Sequence, residues 1–325
     1  MRYTLRVRRA VLLLSALSLV ACTVEPPRAP RSWRVELSTA PTLLALTAEQ
    51  VYAASFGNGV GGSQVYRVDR ATGRLGAQRT LAGQPNGLVV GPTGELWLAT
   101  LRLPDQPGGT GLQVVDPMTL LTRRDVQVEG VPLSLAFVGD TLWIGGATGV
   151  RQVDPATGAV LREVATAVPA TRLVVVTGGL VVVGPTGLQR VEPTTGRAGP
   201  VRPVPAAGSV LAAAAGDRLW VLHPDARART ALARHDPRSL APVVAADSPG
   251  AAGAGAALAG DVLWLADPRG GRLLCADADT GAVRDVRSVG LTGPLVADRR
   301  TVVVAQAGGA AAFPAVCTGP TSVSG

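Results

Sequence analysis

Asp154-Pro155-Ala156-Thr157-Gly158 is one of six copies of the turn that decides the fold. Turns of this Asp-Pro-x-Thr-Gly type begin at Asp69, Asp116, Asp154, Glu192, Asp236 and Asp277. Each precedes a strand centred on Trp97, Trp143, Val181, Trp220, Trp264 or Val303, at distances of 28, 27, 27, 28, 28 and 26 residues. The distance from strand centre to the next turn varies more, from 17 between Tyr52 and Asp69 to values between 11 and 19 later on. The 325-residue chain is therefore built from one unit of about 40 residues, repeated.

The turn has a chemical logic. The Asp carboxylate accepts hydrogen bonds from backbone N–H groups just ahead of it, Pro presets φ, and Gly supplies a positive φ at the exit. Within residues 84–123, Pro85-Asn86-Gly87 reads as a turn and residues 88–91 as a short buried strand. Residues 96–99 form the second strand, 112–115 the third and 122–128 the fourth. Four short strands per unit of about 40 residues is the propeller period. The Trp residues at the second strand read as packing groups between neighbouring sheets. Small residues dominate the innermost strands, as in Leu211-Ala212-Ala213-Ala214-Ala215, because backbones crowd near an axis.

Seven inner and second strand pairs are present, centred on Tyr52, Trp97, Trp143, Val181, Trp220, Trp264 and Val303, but only six outer strands follow them. The seventh unit ends in a weak third strand near residues 310–316. The missing strand is at the other terminus. Trp33-Arg34-Val35-Glu36-Leu37 alternates in period two, and Leu37 precedes Tyr52 by 15 residues, as Val128 precedes Trp143. The expectation is an all-β fold, a seven-bladed β-propeller over 33–317 closed by the N-terminal strand, with a short tail at 318–325.

Gln84-Pro85-Asn86-Gly87-Leu88-Val89-Val90-Gly91-Pro92-Thr93-Gly94-Glu95-Leu96-Trp97-Leu98-Ala99 resembles the blade motif of NHL-repeat, streptogramin-lyase-like and gluconolactonase-like propellers. Leu274-Cys275-Ala276-Asp277-Ala278-Asp279-Thr280-Gly281 resembles the repeat of quinoprotein-type and YVTN-type propellers. These motifs encode turns and packing, so the resemblance implies fold rather than activity.

The first 21 residues read as a signal peptide. Arg2, Arg6, Arg8 and Arg9 form the positive region, and residues 10–20 an apolar run too short to span a bilayer. Leu19-Val20-Ala21-Cys22 resembles the lipobox of bacterial lipoproteins, which implies lipidation of Cys22 and a membrane anchor of acyl chains such as palmitate. The alternative is an ordinary signal peptide followed by a chance Cys. A Pro-rich tether occupies the residues up to 32 and reaches roughly 30 Å when extended. The expectation is an exported protein, lipid-anchored to the cell membrane or the outer membrane.

The formal charge of +8 includes the four signal-peptide arginines. The remaining charges are interspersed, with no basic block or aromatic-rich basic stripe, so no nucleic-acid partner is expected. Cys275 and Cys317 remain after Cys22. An oxidising compartment allows a disulfide, but neither Cys has a recognisable spacing, and two separate thiols is the preferred reading.

Length changes concentrate in the loops joining second to third strands, at 56–64, 101–111 and 223–230. Such loops share one rim, which marks a binding face. Three residues past each strand centre lie Ser55, Thr100, Gly146, Gly184, His223, Asp267 and Gln306, expected to ring the channel mouth. His223 and Asp267, from consecutive blades, could bind a metal or act in acid–base chemistry, though a polar solvated rim is the preferred reading. Asn86 is the only inner-strand start suited to the metal cluster that a gluconolactonase-like resemblance implies. Arg227 and Arg229 suit an acidic partner or ligand. His235, where other repeats carry Val, reads as a packed structural histidine.

No cofactor is implied: the chain has no phosphate loop, nucleophile elbow or zinc motif. The leading expectation is a lipid-anchored envelope propeller that binds a protein or small-molecule ligand through its loop-rich rim. A metal-dependent lyase or lactonase using His223, Asp267 and Asn86 is the alternative. A third reading, from resemblance alone, is an envelope assembly scaffold similar to the propeller lipoprotein of the outer-membrane β-barrel assembly machinery. Its eight blades differ from the seven units counted here.

Overall fold

Short apolar runs punctuated by Asp- and Gly-rich turns become antiparallel strands, and no helix occurs among the described residues. The computed structural model describes residues 31–57, 62–101, 111–204, 210–224, 230–247 and 255–317. β1 (Trp33–Glu36) precedes the first blade, which comprises β2 (Leu43–Leu46), β3 (Gln50–Ser55), β4 (Ser63–Asp69) and β5 (Leu75–Leu81). The second has β6 (Gln84–Val90), β7 (Leu96–Leu101), β8 (Gly111–Val115) and β9 (Thr122–Val126). The third has β10 (Ser134–Val138), β11 (Thr141–Gly145), β12 (Gly149–Val153) and β13 (Val160–Ala165). The fourth has β14 (Arg172–Val176), β15 (Gly179–Gly184), β16 (Gly187–Glu192) and β17 (Arg197–Pro203). The fifth has β18 (Leu211–Ala215), β19 (Arg218–Pro224), β20 (Thr230–His235) and β21 (Pro242–Asp247). The sixth has β22 (Ala256–Ala259), β23 (Val262–Asp267), β24 (Arg272–Asp277) and β25 (Val283–Ser288). The last has β26 (Leu291–Ala297), β27 (Thr301–Gln306) and β28 (Gly309–Pro314).

The seventh sheet runs β1-β28-β27-β26, so the N-terminal strand completes the last blade. Its register, Trp33 opposite Ala312 through Glu36 opposite Gly309, pairs an edge that would otherwise stay open. The third strand of this blade, weak in sequence, forms in full because β1 and β27 flank it. Each innermost strand packs beside the next, and β2 meets β26 to close the ring. The fold is a seven-bladed β-propeller of four-stranded blades.

The core lies between blades rather than inside any one of them. Each interface holds its own apolar cluster, as where Val181 and Val183 of the fourth blade meet Val210 and Val221 of the fifth. Second strands are buried on both faces, which explains continuous apolar runs such as Thr301-Val302-Val303-Val304-Ala305-Gln306. Outer strands alternate instead, as in Val283-Arg284-Asp285-Val286-Arg287-Ser288. Trp97, Trp143, Trp220 and Trp264 are at most 1% exposed and pack toward the following blade.

The repeated turns use the expected hydrogen bonds. Asp154 Oδ1 accepts from Ala156 N at 2.8 Å, and Gly158 N donates to Asp154 O at 2.8 Å. Gly73, at φ 73°, packs against the Trp33 ring so tightly that a Cβ there would lie 2.7 Å from it. Two turns depart from the pattern. Leu120 (φ 61°) and Leu240 (φ 55°) occupy the Gly position, and both side chains are buried in inter-blade clusters. Left-handed backbone costs about 1–2 kcal/mol there, and burial of a Leu contributes about 1.5–3 kcal/mol against it.

Pro85-Asn86-Gly87 is not a turn. It lies inside β6 at a bulge: Pro85 pairs with Thr100 and Gly87 with Ala99, leaving Asn86 as the extra residue. Pro cannot donate to the ladder, and an irregularity beside it accommodates the missing N–H.

The seam where the ring closes carries two further fastenings, and a third lies one interface away, between the sixth and seventh blades. The Arg70 side chain, buried beside β4, donates to Thr47 O at 2.8 Å and pairs with Asp298 at 2.6 Å in the seventh blade. Trp33 Nε1 donates to Arg70 O at 2.7 Å, tying the closing strand to the first blade. Cys275 and Cys317 form a disulfide with Cα atoms 5.9 Å apart, which corrects the reading of two separate thiols. The chain beyond β28 turns back onto β24, a proximity that residue spacing does not encode.

Candidate functional site

Antiparallel blades give the ring two unlike rims. In each blade the first strand begins, the second ends and the third begins at one rim. The second-to-third-strand connections therefore leave from that rim, including those after Ser55, Leu101 and Pro224. The Asp turns, joining third to fourth strands, occupy the opposite rim. Residues 58–61, 102–110 and 225–229 of the three long loops lie outside the described residues, and Arg227 and Arg229 with them. Cys22 also lies outside them.

A cavity of about 250 Å³ opens among the beginnings of six innermost strands, from Thr42 in the first blade to Pro294 in the seventh. Most residues along its wall are apolar by type, among them Leu43, Leu88, Leu133, Leu135 and Leu295, but polar atoms make up the larger share of its surface and its mouth is open. The hydroxyls that reach it are used locally. Ser134 Oγ donates to Ala170 O at 2.7 Å, Thr171 Oγ1 to Val183 O at 3.0 Å and Thr42 Oγ1 to Ala54 O at 3.3 Å. Asn86 lies on the wall, and its Nδ2 makes only a long contact of 3.5 Å to Pro132 O. The β6 bulge delivers this amide to the channel.

Arg172, the first residue of β14, also lines the cavity. It makes no ion pair or hydrogen bond among the described residues, and no acidic residue among them lines the cavity. Desolvation by the surrounding protein pushes its guanidinium below the usual arginine range. The sequence reading missed it. Strand registers expose it: the residue paired two beyond the second-strand centre is Leu43, Gly87, Ser134, Arg172 and Leu211 in the first five blades. Arg172 alone in that series is charged.

The structure separates the other candidates. His223 stands opposite Ala231 near the end of β19 and is half-buried. Asp267, at the end of β23, is 2% exposed. Its carboxylate accepts from Arg272 Nη2 at 2.6 Å and Nε at 2.9 Å, and from Gly270 N at 3.0 Å. It therefore locks the β23–β24 turn. Equivalent second-strand ends behave alike: Ser55, Thr100 and Gln306 are buried, with Ser55 bonded to Thr39 and Gln306 to Val289 O. Four of the residues expected at the channel mouth, Ser55, Thr100, Asp267 and Gln306, are thus buried, and inner-strand beginnings line the cavity instead. Among the described residues no three His, Cys, Asp or Glu side chains gather as a metal cluster would require.

His235 is buried, and its Nδ1 lies 2.9 Å from Leu240 O, across the turn that carries a left-handed Leu. Burial pushes its pKa down, partly offset by the bond to Leu240, with Arg202 and His223 lowering it further. It serves the turn.

No protein-family model matches the chain. No curated protein matches it either. Solved structures do. One is hydrazine synthase from Kuenenia stuttgartiensis, with a TM-score of 0.73 and 14% identity, covering 88% of this chain and 98% of that one. Another is BamB from Moraxella catarrhalis, with a TM-score of 0.57 and 14% identity, covering 88% of this chain and 97% of that one. At such identity the likeness is one of fold, and this chain shares with both the propeller architecture.

Proposed function

We propose that this chain is a lipid-anchored β-propeller of the bacterial cell envelope, working as a binding or scaffold module through its insertion-bearing rim. The observation that carries the reading is the asymmetry of the two rims. The opposite rim is closed by short turns that satisfy their own backbone groups, while the long connections and the channel mouth share the other. The disulfide between Cys275 and Cys317 supports export, because such bonds persist in oxidising compartments. Lipid on Cys22 provides the membrane contact, and the tether sets the propeller off the headgroups. Arg227 and Arg229 offer guanidinium groups to carboxylates of a protein partner or ligand.

The test is fractionation of cells expressing the full chain or Cys22→Ser, with mass spectrometry of the mature N-terminus. The reading expects an acylated Cys22 in the membrane fraction and release of the variant. A mature chain starting beyond Cys22 without lipid contradicts the anchor.

A further inference from the structure

We propose that the central cavity binds a small monocarboxylate through the guanidinium of Arg172. The argument starts from an exception. Other arginines of the ring that leave the surface find side-chain partners: Arg70 pairs with Asp298, Arg272 with Asp267, Arg218 with Asp279 and Arg151 with Glu163, and Arg79 donates to Thr122 and Gln113. Arg172 has no such partner among the described residues, although it is half-buried on the wall of the central cavity. A desolvated, unpaired guanidinium costs stability. Residues that lower stability without a structural return concentrate at functional sites. In three equivalent positions of neighbouring blades the fold is satisfied with Leu or Gly.

The cavity's composition narrows the ligand. One cation with no acidic neighbour among the described lining residues selects a single negative charge, and a dianion would leave one charge uncompensated. The planar guanidinium matches the two oxygens of a carboxylate. The Asn86 amide, with only its long contact to Pro132 O, supplies a second donor at the same wall. Leu43, Leu88, Leu133, Leu135 and Leu295 along the wall offer apolar contacts to the remainder of the ligand. A volume of about 250 Å³ lies near the lower end for ligand pockets and limits that remainder to a short branched chain or one ring. The inference does not depend on the lipid anchor or on the rim loops.

The experiment measures thermal shift and calorimetric binding of the purified full-length protein with benzoate and isovalerate, against benzamide, isovaleramide and inorganic phosphate. The carboxylates should raise the melting temperature in a dose-dependent way, by on the order of 5 °C at a hundredfold excess over Kd. The amides should do nothing. Arg172→Gln should weaken carboxylate binding by at least about tenfold. Arg172→Leu should abolish it while raising the melting temperature of the unliganded protein, since it removes an unpaired charge. That second readout excludes simple misfolding of the variant. No response to either carboxylate, or an equal response in Arg172→Gln, overturns the site. A larger response to phosphate than to the carboxylates overturns the ligand class.

Discussion

Cys317→Ser removes the bridge that fastens the chain end to the sixth blade. The bond closes a loop over a separation of 42 residues, spanning the rest of that blade and the whole of β26 to β28. Loop-closure entropy for that length is about 13 cal/mol/K, or about 4 kcal/mol at 25 °C. Cys275 is 1% exposed in the cluster around Trp264, where a free thiol packs as a small apolar group, so the variant leaves no buried polar atom behind. Unfolding entropy scaled to the ordered chain converts 4 kcal/mol into a fall of roughly 6 °C in melting temperature. The assay is thermal denaturation followed by circular dichroism, with and without a thiol reductant. Oxidised wild type should melt highest. Reduced wild type and Cys317→Ser should coincide below it, and reductant should not move the variant. If reduction and substitution both leave the melting temperature within about 1 °C of the oxidised protein, the bond does not restrain the chain end, because that shift corresponds to well under 1 kcal/mol.

Three other outcomes follow from the same geometry. Leu120→Gly relieves a left-handed backbone but empties a fully buried site, so chemical denaturation should show a net loss of about 2 kcal/mol; a gain would mean that strain outweighs packing. Arg70→Met breaks the contact to Thr47 O and the pair with half-exposed Asp298 across the seam and should cost about 1.5–2 kcal/mol, read as a shifted urea midpoint with an unchanged slope. Acid should act in two stages. His235 is held below its usual pKa by burial, so the folded state binds its proton less readily than the unfolded chain, and stability declines as pH falls below about 6.5. Burial alone would raise the Asp298 carboxyl, but Arg70 and two backbone N–H groups outweigh it, and the turn aspartates Asp69, Asp154 and Asp236 are held low as well. Their contribution is present above the ordinary carboxylate range and lost as pH falls below about 4, so melting curves should steepen their decline there and Asp298→Asn should soften it.

The fold was legible because turns repeat in chemistry as well as in spacing. Asp69 and its counterparts announce each third-to-fourth-strand corner, and constant distances to Trp97 or Trp143 reveal the block that must stay rigid. Even the closing strand was visible, since the offset from Leu37 to Tyr52 equals that from Val128 to Trp143. What the spacing could not show was side-chain direction. Asp267 and Ser55 occupy equivalent places, as expected, but both are buried, because the last residues of second strands are covered on both faces. Asn86 looked like part of a turn because Pro and Gly flank it, yet the strand runs through as a bulge. Cys275 and Cys317 met only because the tail folds back past the last blade. Arg172 was hidden by its ordinary setting in Thr171-Arg172-Leu173 and emerges only when strand registers align it with Leu43, Gly87 and Leu211.

The central claim is that one rim works and the other does not. Site-specific photo-crosslinking in living cells tests it directly, with the probe placed at exposed Thr148 in the β11–β12 connection or at exposed Asp140 in the β10–β11 turn of the same blade. The account predicts discrete crosslinked species from position 148 and none from position 140. Crosslinks that form from position 140 and not from position 148 would contradict it.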